Sequence, residues 1–194
     1  GHQYSATVLV DEAHGAHMYF HKDFPATAMQ LGADISAASM HKTGGSLTQS
    51  SILLYKNDAI SSERLQQVIN LSCTSSASYL LMCSLDIARK QLAIRGSSMF
   101  QQVLEIARQT RDEINRWEEF YAFGQELAGT PGCFDFDESK LGINTRCLGL
   151  TGYQLESKLR KNYNIQMELS DLRNILGIIS LGHRYEDLEA LTHA

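Results

Sequence analysis

Proline is scarce, with 2 in 194 residues, and charged residues make up only 20% of the chain against 43% hydrophobic ones. That balance excludes a collagen-like or disordered polymer and leaves an ordinary folded protein, long enough for one substantial core or for a larger and a smaller domain. The cysteines Cys73, Cys83, Cys133 and Cys147 lie far apart with no Cys-x-x-Cys pair. A zinc ribbon and a dense disulfide framework are therefore not expected; the four read as buried thiols in a reducing cytoplasm. Basic residues are outnumbered, 17 against 22 acidic, for a net charge of -5, so a polyanionic nucleic-acid partner is a poor fit. No apolar run approaches the roughly 18 to 20 residues that cross a bilayer. Gly1-His2-Gln3-Tyr4 also lacks the charged-then-apolar order of a signal peptide. A soluble protein without a membrane partner is expected.

What is present is an alternation of apolar segments with helical stretches. Residues 7–10 read as a buried, central parallel strand that meets the polar run Asp11-Glu12-Ala13-His14-Gly15 at its C-terminal end. So little chain precedes this strand that the sequence is expected to be a piece of something longer. Residues 25–31 read as a short helix closed by Gly32, 35–39 as a second strand entering a glycine-bearing loop at 40–46, and 51–55 as a third strand. Asp58 is a candidate N-cap for a helix to about residue 70; a break at 72–76 precedes a helix over 77–94. Phe100, Val103, Leu104, Ala107, Ile114 and Trp117 recur at helical spacing, which predicts a separate amphipathic helix over 98–119 with Trp117 in the core. Beyond Gly129-Thr130-Pro131-Gly132, strands at 140–145, 165–169 and 175–181 flank a helix over 152–163. The expected organisation is an α/β domain with a bridging helix over 1–119 and a small α+β domain over 120–194.

Chemistry concentrates in the first fifty residues. Ligands of open α/β sheets gather at the C-terminal strand ends, and there the pattern places the carboxylate of Asp11 and, 31 residues later, the amine of Lys42. An acid and a lysine are what pyridoxal phosphate requires: the amine forms an imine with the cofactor aldehyde, and the carboxylate keeps the pyridine nitrogen protonated. Ser39 and His41, two residues apart, share a face of an extended segment and offer a hydroxyl and an imidazole to a phosphate. Gly44 and Gly45 let backbone amides approach the same ligand.

Val10-Asp11-Glu12-Ala13-His14-Gly15-Ala16-His17, Gly32-Ala33-Asp34, Ser39-Met40-His41-Lys42-Thr43 and Leu47-Thr48-Gln49-Ser50-Ser51 resemble, in order and spacing, the ornithine/lysine/arginine decarboxylase family of fold type I. The stretch from Thr74 to Met82 with Ser84-Leu85-Asp86, and that from Gly152-Tyr153 through Ile165 to Leu169, resemble later blocks of the same family. The resemblance implies the second half of a mainly parallel, aspartate-aminotransferase-like sheet followed by a small α+β domain. It implies pyridoxal 5′-phosphate as cofactor and α-decarboxylation of arginine, lysine or ornithine to a polyamine precursor. It also implies roles: Asp11 under the pyridine nitrogen, Ala13 on a ring face, His14 near the ring hydroxyl, Ser39 and His41 on the phosphate, and Lys42 as Schiff-base lysine. Thr74 and Ser75 would reach the phosphate of a partner in a homodimer or higher homo-oligomer. Where the family has proline in that block, this chain reads Ser75-Ser76-Ala77-Ser78. The resemblance further implies that the family's phosphate-cupping loop and its cofactor-stacking ring would come from sequence before Gly1.

Competing readings are weaker. Val8 to His14 alone fits the Asp-Glu-Ala-His strand of a helicase ATPase, but Ser39-Met40-His41-Lys42 has no role there and the chain is acidic. His14, His17 and His21 fall at spacings that would share a helix face, yet Gly15 argues against that helix, and no metal is expected. Glu168 is a candidate acceptor for a substrate's distal amine, against the default of a solvated acid at a strand end. A non-catalytic homologue that binds a partner through the dimer surface is the remaining alternative.

Overall fold

The computed structural model describes residues 1–56 and 60–194, so Asp58 lies outside the described residues. The chain forms two compact units, Gly1–Ser97 and Ser98–Ala194.

In the first unit, β1 (Leu9–Asp11) pairs in parallel with β2 (Ile35–Ser39), which pairs antiparallel with β3 (Ser51–Tyr55), in the order β1-β2-β3. Expected as central and buried, β1 is an edge strand among the described residues, with Leu9 67% exposed. The register explains this. Leu9, Asp11, Ala37, Ser39, Leu53 and Tyr55 share one face of the sheet, Val10, Ser36, Ala38, Ile52 and Leu54 the other. Only the second face is covered; on the first, Leu53 and Tyr55 are also exposed.

Residues 25–31 form no helix. Leu31 N–H donates to Thr27 O and Ala33 N–H to Ala28 O, so one turn forms, and Gly32 at φ +97° reverses the chain before a second can follow. The loop expected at 40–46 begins instead with one helical turn, α1 (Met40–Thr43). Helix α2 (Ser62–Ser72) takes its N-cap from Ser61, whose hydroxyl accepts from Arg64 N–H.

The two helices predicted over 77–94 and 98–119 are one, α3 (Tyr79–Ile114), 36 residues long. Gly96, between the two predicted spans, is a place of close contact: a Cβ there would lie 2.9 Å from Phe20 Cβ. The helix passes through because glycine costs it only about 1 kcal/mol.

The second unit has an all-antiparallel sheet in the order β4-β5-β7-β6, made of β4 (Tyr121–Phe123), β5 (Lys140–Asn144), β6 (Leu169–Ser170) and β7 (Asn174–Ile178). Helices α4 (Gly152–Tyr163) and α5 (Tyr185–Thr192) complete it. A capping box between Thr151 and Gln154 starts α4 where the sequence placed it. Strand β4 and helix α5 escaped sequence reading, and β6 (Leu169–Ser170) shares only Leu169 with the span expected at 165–169. Phe100, Val103, Leu104, Ala107 and Ile114 are buried as expected, each contributing roughly 1.5–3 kcal/mol for the larger side chains. Trp117 is not: α3 ends at Ile114 and the indole is 60% exposed. Arg111 is buried and donates to the carbonyls of Ala107, Phe123, Glu138 and Lys140, tying α3 to the sheet. Burial holds its guanidinium below the usual arginine range.

None of the cysteines is buried; Cys73, Cys83 and Cys147 are exposed, Cys133 is half-buried, and all four are free. Among the described residues, no helix is long and apolar enough to cross a membrane.

Candidate active site

Strand β1 ends at Asp11, whose Oδ1 accepts the Ala13 N–H at 3.0 Å, an Asx turn that bends the chain off the sheet. The next residue, Glu12, points the other way into the unit. Its Oε2 accepts from Tyr19 OH at 2.8 Å and from Ser36 Oγ at 2.6 Å, and its Oε1 from Ala28 N–H at 2.7 Å. Burial, then the bond to Glu12, pushes the Tyr19 phenol above its ordinary value. Gly15 closes the turn against the same side chain, since a Cβ there would meet Glu12 Cγ at 2.7 Å. Glu12 thus anchors the segment that presents Asp11 and His14 on either side of it.

On the neighbouring strand, Ser39 lies two residues beyond Ala37, the register partner of Asp11, and on the same sheet face. Ser39 occupies the N-cap of α1 but its hydroxyl oxygen accepts no capping bond from the helix. One turn later Lys42 Nζ lies 3.1 Å from His14 Nε2. Asp11, Ala13, His14, Ser39, His41 and Lys42 therefore lie at one rim of the sheet. Thr43 Oγ1 beside them is buried with no hydrogen-bond partner among the described residues.

The loop after α1 folds back onto it. His41 N–H (3.3 Å) and His41 Nδ1 (2.9 Å) both bond the carbonyl oxygen of Ser50. Ser50 Oγ donates to Leu47 O at 2.7 Å and contacts Ser46 Oγ, and Leu47 N–H donates to Ser84 Oγ on α3 at 2.8 Å. These supports, like the Glu12 knot, were missed from sequence. Ser50 sits inside the Leu47–Ser51 motif, with Ser46 just before it, and was a usable signal; nothing pointed to Ser84.

Thr74 and Ser75 are exposed between α2 and α3, where Thr74 Oγ1 accepts the local Ser76 N–H. Glu168 belongs to the second unit; it is exposed, and its N–H donates to Leu176 O. His17 is buried with its ring edge-on to Phe24 at 4.5 Å, and His21 also packs against Phe24. Among the described residues no cluster of metal-ligating side chains occurs. Asp34, expected only as part of a motif, accepts from Val8 N–H and His2 Nε2, both at 2.8 Å, and those bonds hold its carboxyl below the usual range.

The donor set suits pyridoxal phosphate. One primary amine is able to bond an aldehyde carbon, one carboxylate has both lone-pair edges open apart from a single backbone N–H, and an uncommitted hydroxyl and an imidazole flank the amine.

Residues 1–187 match the family model described as Orn/Lys/Arg decarboxylase, major domain. The chain is 47% identical over 193 residues to an arginine decarboxylase of Bacillus subtilis (strain 168), a match that covers 100% of this chain and 39% of that protein. The chain thus spans about two fifths of that curated relative's length. Among solved structures, lysine decarboxylase A from Pseudomonas aeruginosa superposes with a TM-score of 0.77 at 17% identity, over 96% of this chain and 32% of the other. An alanine–glyoxylate aminotransferase from Nostoc sp. superposes with a TM-score of 0.73 at 15% identity, over 99% and 53%. The fold is that shared by these decarboxylases and aminotransferases.

Proposed function

The chain belongs to the Orn/Lys/Arg decarboxylase family, and from that premise we propose that it carries the lysine and acid of a pyridoxal-phosphate-dependent decarboxylase of a basic amino acid. The observation that carries this reading is the Lys42 amine, held 3.1 Å from His14 at the rim where Asp11 ends β1. Arginine is the favoured substrate, because the Bacillus relative bears the name arginine decarboxylase.

Pyridoxal phosphate, when bound, supplies a ring that takes up the electron pair left as carbon dioxide departs. The chain's own residues do the rest. Lys42 would provide the amine for the cofactor aldehyde. Asp11 would accept the pyridine N–H and so keep a proton on that nitrogen. Ala13 would pack on a ring face, His14 would stand by the ring hydroxyl, and Ser39 and His41 would hold the phosphate. Thr74 and Ser75, on an exposed stretch, reach toward a second subunit's phosphate in a homodimer. Glu168 receives the far cationic end of the substrate. In this reading residues 1–119 are the C-terminal part of the cofactor domain with its bridging helix, 120–194 are the small domain, and the enzyme works in the cytoplasm.

The test is to add pyridoxal phosphate, reduce with borohydride and map the modified peptide. Label on Lys42 is expected. A Lys42→Ala variant that binds cofactor and turns over arginine as before overturns the proposal, and absence of any cofactor absorption favours the non-catalytic alternative.

A further inference from the structure

The loop behind Lys42 bears on the protonation state of its neighbour. His41 Nδ1 lies 2.9 Å from the carbonyl oxygen of Ser50, which also accepts the His41 backbone N–H. That oxygen is well fixed. Ser50 is 5% exposed, its hydroxyl is bonded to Leu47 O, and it precedes Ser51, the register partner of Ser39. The two bonds to His41 thus tie the first turn of α1 to the residue that precedes β3.

A carbonyl oxygen has lone pairs and no proton, so the ring nitrogen facing it must carry the hydrogen. A neutral imidazole has one N–H, and here it is spent on Ser50. Nε2 is then a bare lone pair, which donates nothing to a phosphate oxygen and repels its charge. We propose that Ser50 is a positioning residue that locks His41 as the Nδ1–H tautomer, so that His41 holds a phosphate monoester dianion only as the imidazolium, taking up one proton at Nε2 on binding. The inference rests on the reading above in which His41 faces the cofactor phosphate, and it adds a charge to that contact. The charge-assisted bond is the stronger kind, and its cost is that affinity becomes linked to pH.

Other titratable groups stand near. The elements packed against α1 are the 3-10 turn Ala16–Phe20, which carries His17 and Tyr19, and β3, which carries Tyr55; α1 itself carries Lys42, paired with His14. The test therefore reads His41 directly. In protein labelled with nitrogen-15 at histidine, long-range proton–nitrogen correlation spectra identify each ring's tautomer, and His41→Gln assigns the signal. Pyridoxamine 5′-phosphate is the probe, because it brings the phosphate but no aldehyde for Lys42; pyridoxamine without phosphate is the control.

At pH 8 the free protein is expected to show His41 with Nδ1 protonated and Nε2 bare. Saturating pyridoxamine phosphate should move Nε2 to the protonated range, and pyridoxamine should not. A phosphate monoester is already a dianion above its second pKa of about 6. Between about pH 7.5 and 8.5, then, the ratio of wild-type to His41→Gln affinity should fall by up to about tenfold, as uptake of one linked proton on binding requires. His41→Asn, which keeps a donor toward Ser50 but does not reach the Nε2 position, should bind pyridoxamine phosphate no better than pyridoxamine.

An Nε2–H tautomer in the free protein overturns the proposal, and so does an Nε2 that stays bare with the phosphate probe bound or unresponsive to it. Borohydride label on Lys42 alongside either result would leave the decarboxylase reading standing and remove this inference alone.

Discussion

Replacing Glu12 with alanine removes the anchor of the turn that presents Asp11 and His14. Its carboxylate accepts from Tyr19 OH, Ser36 Oγ and Ala28 N–H. Hydrogen bonds to a charged acceptor contribute about 1.5–3 kcal/mol each. Tyr19 is half-buried and regains a water, whereas Ser36 and Ala28 are 0% and 9% exposed and lose their partner outright. Counting those two fully gives a loss of ~4 kcal/mol, a large share of a domain stability of ~5–15 kcal/mol. Amide hydrogen exchange followed by mass spectrometry localises the effect. With every ~1.4 kcal/mol worth a factor of ten, the β2 amides should exchange about a thousandfold faster in Glu12→Ala. Glu12→Gln keeps an acceptor for Ala28 N–H and should lie in between, at roughly tenfold. Acceleration of less than tenfold in the alanine variant would refute the assignment of Glu12 as the anchor.

Arg111→Met should destabilise the second unit by ~3 kcal/mol or more, because carbonyls of Phe123, Glu138 and Lys140 lose a buried cationic donor; a urea midpoint unchanged from wild type would contradict this. Gly152→Ala puts a Cβ 2.1 Å from Asn174 O and 2.5 Å from Asp171 O, both backbone atoms, and should cost about 1–3 kcal/mol in the same assay as α4 is pushed off the β6–β7 turn. Asp34 is a carboxylate whose folded-state pKa is depressed, first by Val8 N–H and then by His2. Its contribution is present above the unfolded value of about 3.9 and is lost as pH falls through the lower folded value. Asp34→Asn should therefore flatten the acid limb of stability below about pH 4, read by thermal melts across pH.

The placement of the candidate site was legible because its residues lie in short-range pattern. An apolar strand ending in Asp11 and a second ending before Lys42 place the acid and the amine at one rim, and the structure puts Lys42 against His14 there. What sequence did not show was support from a distance. Ser84 reaches Leu47 across 37 residues, and Glu12 reaches Ala28 and Ser36 across 16 and 24; no local spacing encodes those contacts. The continuity of α3 through Gly96 was missed for a related reason, since that residue's role depends on Phe20 in another element and not on helix propensity. Trp117 misled because helical spacing continued past the point where α3 ends.

The uncovered face of the first sheet has a practical outcome for anyone handling this polypeptide alone. Leu9, Leu53 and Tyr55 form a greasy patch beside two strand edges, those of β1 and β3, that no other described strand occupies. Such edges template pairing with further copies. Concentrated samples should accordingly clump as flat, cross-paired stacks, and a single lysine placed at Leu53 should keep them dispersed.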